Sequence, residues 1–98
     1  MSGGNWKDML LASQTGDLEL VKYYVRTGID INYQHPEAMT TPLIESFRFE
    51  HIAIAKFLLE NGADVYAKEG FSGDTALSVA TEKQNQEALD LLNLYLKP

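Results

Sequence analysis

The most constraining feature of the sequence is a spacing of 34 residues between matching landmarks. Gly28 precedes Gly62 by this spacing, and Thr41 precedes Thr75 by the same number. Two equal offsets between different residue types indicate an internal repeat. A repeat of this length predicts units that stack on their neighbours, because one such unit cannot bury its apolar side alone.

The best-defined copy opens at Thr41, whose hydroxyl can cap a helix. Pro42 suits the first helical position, because its missing N–H would have no partner there. Apolar residues then recur at helical spacing over 52–59, and Gly62 follows where a left-handed helix end favours glycine. Each unit is therefore predicted to hold a short helix, a tight turn (here near 50–51), a second helix and a glycine stop.

The segments that follow each glycine stop are predicted to be extended, hairpin-like fingers at 29–40 and 63–74. In the first of them, Ile29 and Ile31 alternate with polar residues. A period of two is the pattern expected of a half-buried strand.

Three short runs carry a resemblance to a known family. Thr41–Ile44 opens one copy, Thr75–Ser78 opens the next more loosely, and Lys7–Ala12 keeps only the apolar places. The ending Gly62–Val65 has an earlier counterpart at Gly28–Ile31. The sequence resembles an ankyrin-repeat protein, whose repeat of about 33 residues opens Thr-Pro-Leu-His-x-Ala.

The resemblance implies an all-α repeat solenoid, with ankyrin-type helix-turn-helix repeats joined by extended hairpin fingers. It covers nearly the whole chain as a single domain, residues 1–98, with repeats at about 5–36, 37–70 and 71–98. A solenoid needs polar outer faces. Asn93 stands at the position that Val25 and Leu59 occupy in the earlier repeats, so an apolar residue becomes polar in the last copy. At the front, Lys7–Asp8 replaces the Thr-Pro pair. We therefore expect a complete three-repeat protein.

Charge and composition narrow the class of function. The net charge of −6 argues against nucleic acid, whose binders present basic patches. The acidity serves either solubility or a basic protein partner. Cysteine is absent, which excludes disulfides and thiolate chemistry. With no signal-peptide pattern and no apolar run of about 18 residues, we expect a cytoplasmic protein without a membrane segment.

No residue pattern predicts catalysis, a metal or a cofactor. The two histidines, His35 and His51, fall in different parts of the repeat, in a finger and at a helix–helix turn. By resemblance, His51 is the turn histidine that makes a structural hydrogen bond in ankyrin repeats. The run Gly70–Gly73 is too short for a phosphate loop and lacks its lysine.

The resemblance further implies partner binding on a concave face built from the finger tips and the outer side of each first helix. Carried over by register, the predicted contact residues are Trp6, Tyr33, His35, Met39, Arg48, Phe49, Lys68, Phe71, Asp74, Glu82 and Lys83, with Gln14, Thr15, Gln34, Glu37, Thr40, Glu69 and Ser72 beside them. Tyr33, Arg48 and Phe71 are favoured. The alternatives are that Phe49 tucks between repeats, Trp6 covers the front of the core and Phe71 packs on the neighbouring finger.

The predicted function is a non-catalytic protein–protein interaction module that binds another protein and is itself a monomer. The alternative is a self-associating structural adaptor that forms a homodimer through Leu94, Tyr95 and Leu96. Exposed apolar clusters often mark interfaces, which is the reason for this alternative. If the chain is a monomer, the three residues pack on their own repeat instead. A small enzyme or metal protein is the third hypothesis.

Overall fold

The computed structural model describes residues 5–97, and within this range the chain is all-α, with no strand. Its helices are α1 (Trp6–Thr15), α2 (Leu18–Arg26), α3 (Pro42–Arg48), α4 (Ile52–Glu60), α5 (Ala76–Glu82) and α6 (Gln86–Asn93). Consecutive helices form three pairs. α1, α3 and α5 pack side by side in one layer, and α2, α4 and α6 do so in the other. The predicted solenoid is confirmed.

Helix ends are marked by capping side chains and by left-handed glycines. Thr41 accepts a hydrogen bond from the backbone N–H of the third residue of α3, and Asp17 caps α2 in the same way. Gly16 and Gly62 adopt left-handed backbone, with φ of 90° and 94°. These caps supply partners for backbone groups that have none inside a helix. In the copy that opens at Thr41, the predicted helices are therefore confirmed to within a residue or two.

The segment 29–32 is a turn, so the predicted strand is wrong. The Asp30 carboxylate accepts a hydrogen bond of 2.9 Å from the Asn32 backbone N–H, and Asp64 does the same for Tyr66 one repeat later. An aspartate that bonds the backbone two residues on favours a turn over a strand. The alternation describes burial correctly, since the two isoleucines point inward while Asp30 and Asn32 are exposed.

Asn32 joins the first repeat to the second. Its side-chain amide donates to the Gly62 carbonyl at 3.2 Å, and its oxygen accepts from the Asp64 backbone N–H at 2.7 Å. The glycine stop of one repeat is thus bonded to the turn of the repeat before it. These two bonds set the register between neighbouring units.

His51 also bridges the two repeats. Its Nε2 lies 3.0 Å from the Gln14 carbonyl oxygen, and its ring packs against Gly16. A Cβ on Gly16 would lie 2.7 Å from the ring, so glycine is required there for space as well as for its left-handed backbone. The predicted structural hydrogen bond of the turn histidine is confirmed.

The core runs along the stack, and the middle pair is covered on both sides. Every residue from Thr41 to Phe47 is buried. At the far end Asn93 is exposed where Leu59 is buried, as the register predicted. At the front, Lys7 and Asp8 are exposed.

Candidate protein-binding face

Arg48, the last residue of α3, ties this helix to the second finger. Its guanidinium pairs with Glu45 one turn earlier and reaches Glu69 at 2.6 Å and Asp74 at 3.6 Å. Both of these carboxylates belong to the finger. Because guanidinium donors have a fixed geometry, this contact orients the finger relative to α3.

Glu45 extends the same network toward the first repeat. Its carboxylate is buried, and it accepts hydrogen bonds from the Gln14 amide at 2.9 Å and the Thr40 hydroxyl at 3.1 Å. A buried carboxylate requires such partners, because an unpaired one is costly to desolvate. Gln14 lies on α1, so the network joins parts of all three repeats.

The network also raises the pKa of Arg48 above its ordinary value. Partial burial by itself lowers that pKa, but the hydrogen bond to Glu69 and the charges of Glu45, Glu69 and Asp74 outweigh it. Arg48 therefore stays charged and holds the finger. Contact with a partner stays a prediction for Arg48, whose side chain is only partly exposed.

Two phenylalanines lie beside this network and face solvent. Phe49 directly follows Arg48 and is 50% exposed, while Phe71 lies two residues after Glu69 and is 77% exposed. The Ser72 hydroxyl donates to Glu69 at 3.0 Å, which braces the finger next to Phe71. The alternatives in which Phe49 tucks between repeats and Phe71 packs on a neighbouring finger are therefore wrong.

Three aromatic rings cluster at the first finger. The His35 ring stacks on Trp6, with centroids 4.0 Å apart and an interplanar angle of 13°, and Tyr33 lies about 6 Å from both. His35 Nδ1 accepts a hydrogen bond of 3.1 Å from the Glu37 backbone N–H. Trp6 is half-buried and Tyr33 exposed, so the cluster both anchors the finger to α1 and offers an aromatic surface.

The two fingers are bonded to each other. The Gly70 backbone N–H donates to the Met39 carbonyl at 2.8 Å, and the Gln34 amide donates to the carbonyl oxygens of Met39 and Lys68. Met39 has left-handed backbone, and its side chain fills the space where a Cβ on Gly70 would lie. The Met39 side chain thus packs between the two fingers and is only partly exposed.

The remaining predicted residues divide by exposure. Lys68, Glu82 and Lys83 are exposed and available for contact. Thr40 is buried against Glu45, so its prediction as an exposed contact residue is wrong.

Sequence reasoning missed Glu45. The signal that could have found it is the comparison between repeats: Glu45 stands where the other two repeats have Leu11 and Val79.

The C-terminal cluster is divided in the structure. Leu96 packs against the core, as expected of a residue on its own repeat, while Leu94 is 79% exposed and Tyr95 37%. Across residues 5–97, no three His, Asp or Glu side chains are grouped closely enough to hold a metal ion. No helix in this range is long and apolar enough to cross a membrane.

Comparison with known proteins identifies one family. The family model described as ankyrin repeats matches residues 9–95 in three copies. The chain is 33% identical over 85 residues to the ankyrin repeat protein FPV031 of Fowlpox virus (strain NVSL), covering 86% of this chain and 25% of that protein. It is 32% identical over 79 residues to the ankyrin repeat protein R664 of Acanthamoeba polyphaga mimivirus, covering 81% of this chain and 48% of the viral protein.

A third relative is named for an activity. The chain is 35% identical over 74 residues to Palmitoyltransferase AKR1 of Lachancea kluyveri, covering 74% of this chain but only 9% of that protein. In these three relatives the chain spans less than half of the protein's own length. The palmitoyltransferase activity therefore belongs to that relative and is not assigned to this chain.

Proposed function

Because this chain belongs to the ankyrin-repeat family, whose repeats are in general protein–protein interaction modules, we propose that it binds a partner protein on one face. That face, here called the finger face, consists of the exposed residues Tyr33, Phe49, Lys68, Phe71 and Lys83 on the fingers and the ends of α3 and α5. Ankyrin repeats are typically non-catalytic, and the proposed module acts by binding alone.

The observation that carries the proposal is the pair of exposed phenylalanines beside the Arg48 network. Large aromatic side chains that lose contact with water at the centre of an interface dominate binding energy. Phe49 and Phe71 are both exposed, and Arg48 holds the segments that carry them through Glu69. A segment that is held in place before binding loses less entropy when the complex forms.

Affinity capture tests the finger face. The tagged chain and its Phe49→Ala and Phe71→Ala variants are incubated with native lysate, and the captured proteins are compared by quantitative mass spectrometry. We expect each variant to lose about tenfold or more of the specific partner, as truncation of a central aromatic does when it costs 1.4 kcal/mol or more.

The matched control is Tyr23→Ala. Tyr23 is an aromatic of comparable exposure, 56%, but it lies on α2 in the other layer. Capture by this variant should equal that of the wild type. If both phenylalanine variants also retain the same proteins at equal yield, the finger face is not the binding surface.

A further inference from the structure

The two ends of the helical stack carry matching halves of the interface that joins neighbouring repeats. Within residues 5–97, the first and third repeats each have a neighbouring repeat on one side only. A place that is buried in one of these two repeats and more exposed in the other therefore faces a neighbour that only one of them has. Residues of the third repeat buried toward the second repeat are Val79, Ala88 and Leu92. Residues of the first repeat buried toward the second are Met9, Ser13 and Val21.

The first set has equivalents in the first repeat, two repeat lengths earlier in the sequence. They lie on the side of α1 and α2 that faces away from the second repeat. The equivalents of Val79, Ala88 and Leu92 are Leu11, Leu20 and Tyr24. All three are large and largely apolar, and Leu11 is 56% exposed. These residues, here called the front face, occupy places that are buried in both later repeats.

The second set has equivalents in the third repeat, two repeat lengths later in the sequence. They lie on the side of α5 and α6 that faces away from the second repeat. The equivalents of Met9, Ser13 and Val21 are Leu77, Thr81 and Leu89, here called the rear face. Leu77 is 39% exposed, whereas Met9 is fully buried. The rear face is thus the same surface that the first repeat presents to the second.

Thr81 does not prevent burial of the rear face. Its hydroxyl donates to the Leu77 carbonyl at 2.7 Å, and the Ser13 hydroxyl makes the same bond to the Met9 carbonyl at 2.9 Å. Ser13 is fully buried between the first two repeats. A hydroxyl whose donor is satisfied within its own helix can therefore enter this kind of interface.

Polar residues also lie on both faces. Asn93 takes the place of the buried Leu59 at the rear, and Lys7 and Asp8 take the places of the buried Thr41 and Pro42 at the front. The Asp8 carboxylate accepts a hydrogen bond of 3.3 Å from the Tyr24 hydroxyl and has further capacity to accept one from a side-chain amide. Asn93 of one copy can therefore be satisfied by Asp8 of the next.

We propose that the rear face of one copy of this chain docks on the front face of a second copy, so that two stacks join head to tail. The occupant is a second copy because the chain itself carries both halves of the interface, in the register that already joins its own repeats. A head-to-tail contact uses different surfaces on the two partners and leaves one face of each type free. Association can therefore continue beyond the dimer.

The head-to-tail contact does not involve Leu94, so it can be distinguished from a contact through the C-terminal residues Leu94, Tyr95 and Leu96. Leu94 is equivalent to Arg26 and Glu60, which are exposed in the earlier repeats. Stacking on the rear face consequently leaves Leu94 in water. Substitution of Leu94 should not weaken head-to-tail association.

Paired variants test the proposal through the molar mass in solution. Light scattering coupled to size exclusion should show a wild-type mass that rises with protein concentration. Leu11→Glu places a carboxylate on the front face, where Glu82, the register equivalent of Gln14, would oppose it. Leu77→Glu places one on the rear face. Each variant alone should keep the mass of one chain at every concentration.

The mixture of the two variants gives the decisive result. Leu11→Glu retains an intact rear face and Leu77→Glu an intact front face, so equimolar mixing should produce a dimer of about twice the single-chain mass and nothing larger. Identical circular dichroism and melting curves for both variants, which alter exposed side chains, show that folding is intact. Leu94→Ser, which alters an exposed residue outside both faces, should associate like the wild type.

Several outcomes would overturn the proposal. A wild-type mass that stays monomeric up to millimolar concentration removes it. Association of Leu77→Glu alone, with loss only in Leu11→Glu, would indicate that two front faces pair. Loss of association in Leu94→Ser would assign the contact to the C-terminal helix. None of these results bears on the finger face, which capture by the phenylalanine variants tests separately.

Discussion

At the scale of single residues, the structure separates side chains that organise the finger face from side chains that it offers to a partner. Arg48 was predicted to be a contact residue, but its guanidinium is already paired with the carboxylates of Glu45, Glu69 and Asp74. Loss of binding on substituting Arg48 would therefore report a displaced finger as readily as a lost contact. Phe71 has no such internal role and is the more direct probe.

Replacing Arg48 with alanine should lower the free energy of unfolding by about 3 kcal/mol, because the buried Glu45 carboxylate then lacks a compensating charge. Chemical denaturation measures this change. Arg26→Ala, which removes an exposed arginine at the same place in a helix end, should change stability by less than about 0.5 kcal/mol. Equal effects of the two substitutions would show that Glu45 does not depend on Arg48.

At the scale of elements, each repeat is attached to the next by polar bonds as well as by apolar packing. Asn32 bonds the end of α4 through Gly62 and Asp64, and His51 bonds the end of α1 through Gln14. Both bridges join the last turn of a helix, or the residues just after it, to a connecting segment one repeat away. Helix ends carry backbone groups without helical partners, so they are natural points of attachment.

Replacing Asn32 with alanine should lower stability by about 1–2 kcal/mol, since it removes two hydrogen bonds of roughly 0.5–1.5 kcal/mol each. Amide hydrogen exchange gives the more specific reading, because the Asp64 N–H loses its acceptor and should exchange faster than other amides of its turn.

Tyr66→Phe is the control for this effect. Tyr66 stands at the same register place, and its hydroxyl accepts from the Lys97 N–H. This substitution should leave the Asp64 amide unchanged. Unaltered Asp64 exchange in Asn32→Ala would mean that the bond between the repeats is absent in solution.

At the scale of the whole molecule, the stack behaves as a line of units in which each repeat depends on its neighbours. In the part of the chain that the structure describes, the middle repeat has a neighbour on both sides and each outer repeat has one. In such an array the stability is approximately a sum of repeat terms and neighbour terms. Damage to the middle should therefore affect every unit, whereas damage at one end should stay near that end.

Phe47→Ala and Leu92→Ala test this dependence. Both residues are fully buried, and such truncations cost about 2–5 kcal/mol. Native-state hydrogen exchange should show protection falling together in all helices for Phe47→Ala. For Leu92→Ala it should fall mainly in α5 and α6, with α1 and α2 least affected. The same uniform loss in both variants would show that the three repeats unfold as one unit.

Much of the architecture was readable from the sequence because its signals are local. Thr41, Pro42 and Gly62 mark helix ends through their own hydrogen bonding and backbone preferences, and the spacing of 34 residues carries these marks to the other repeats. The predicted strand at 29–32 failed for a local reason too. A period of two reports which side chains point inward, but the Asp30 carboxylate competes for the backbone and forms a turn.

The sequence by itself determined the repeat, the helix pairs and the family, since each depends on residues close together along the chain or at one fixed spacing. Only the tertiary structure decided that Arg48 is held by Glu69, that Phe71 stays exposed, and that Leu11 lies on an uncovered face. Those outcomes depend on which surfaces meet when residues distant in sequence pack together. A side chain's partner and exposure are properties of that packing, and periodicity alone does not encode them.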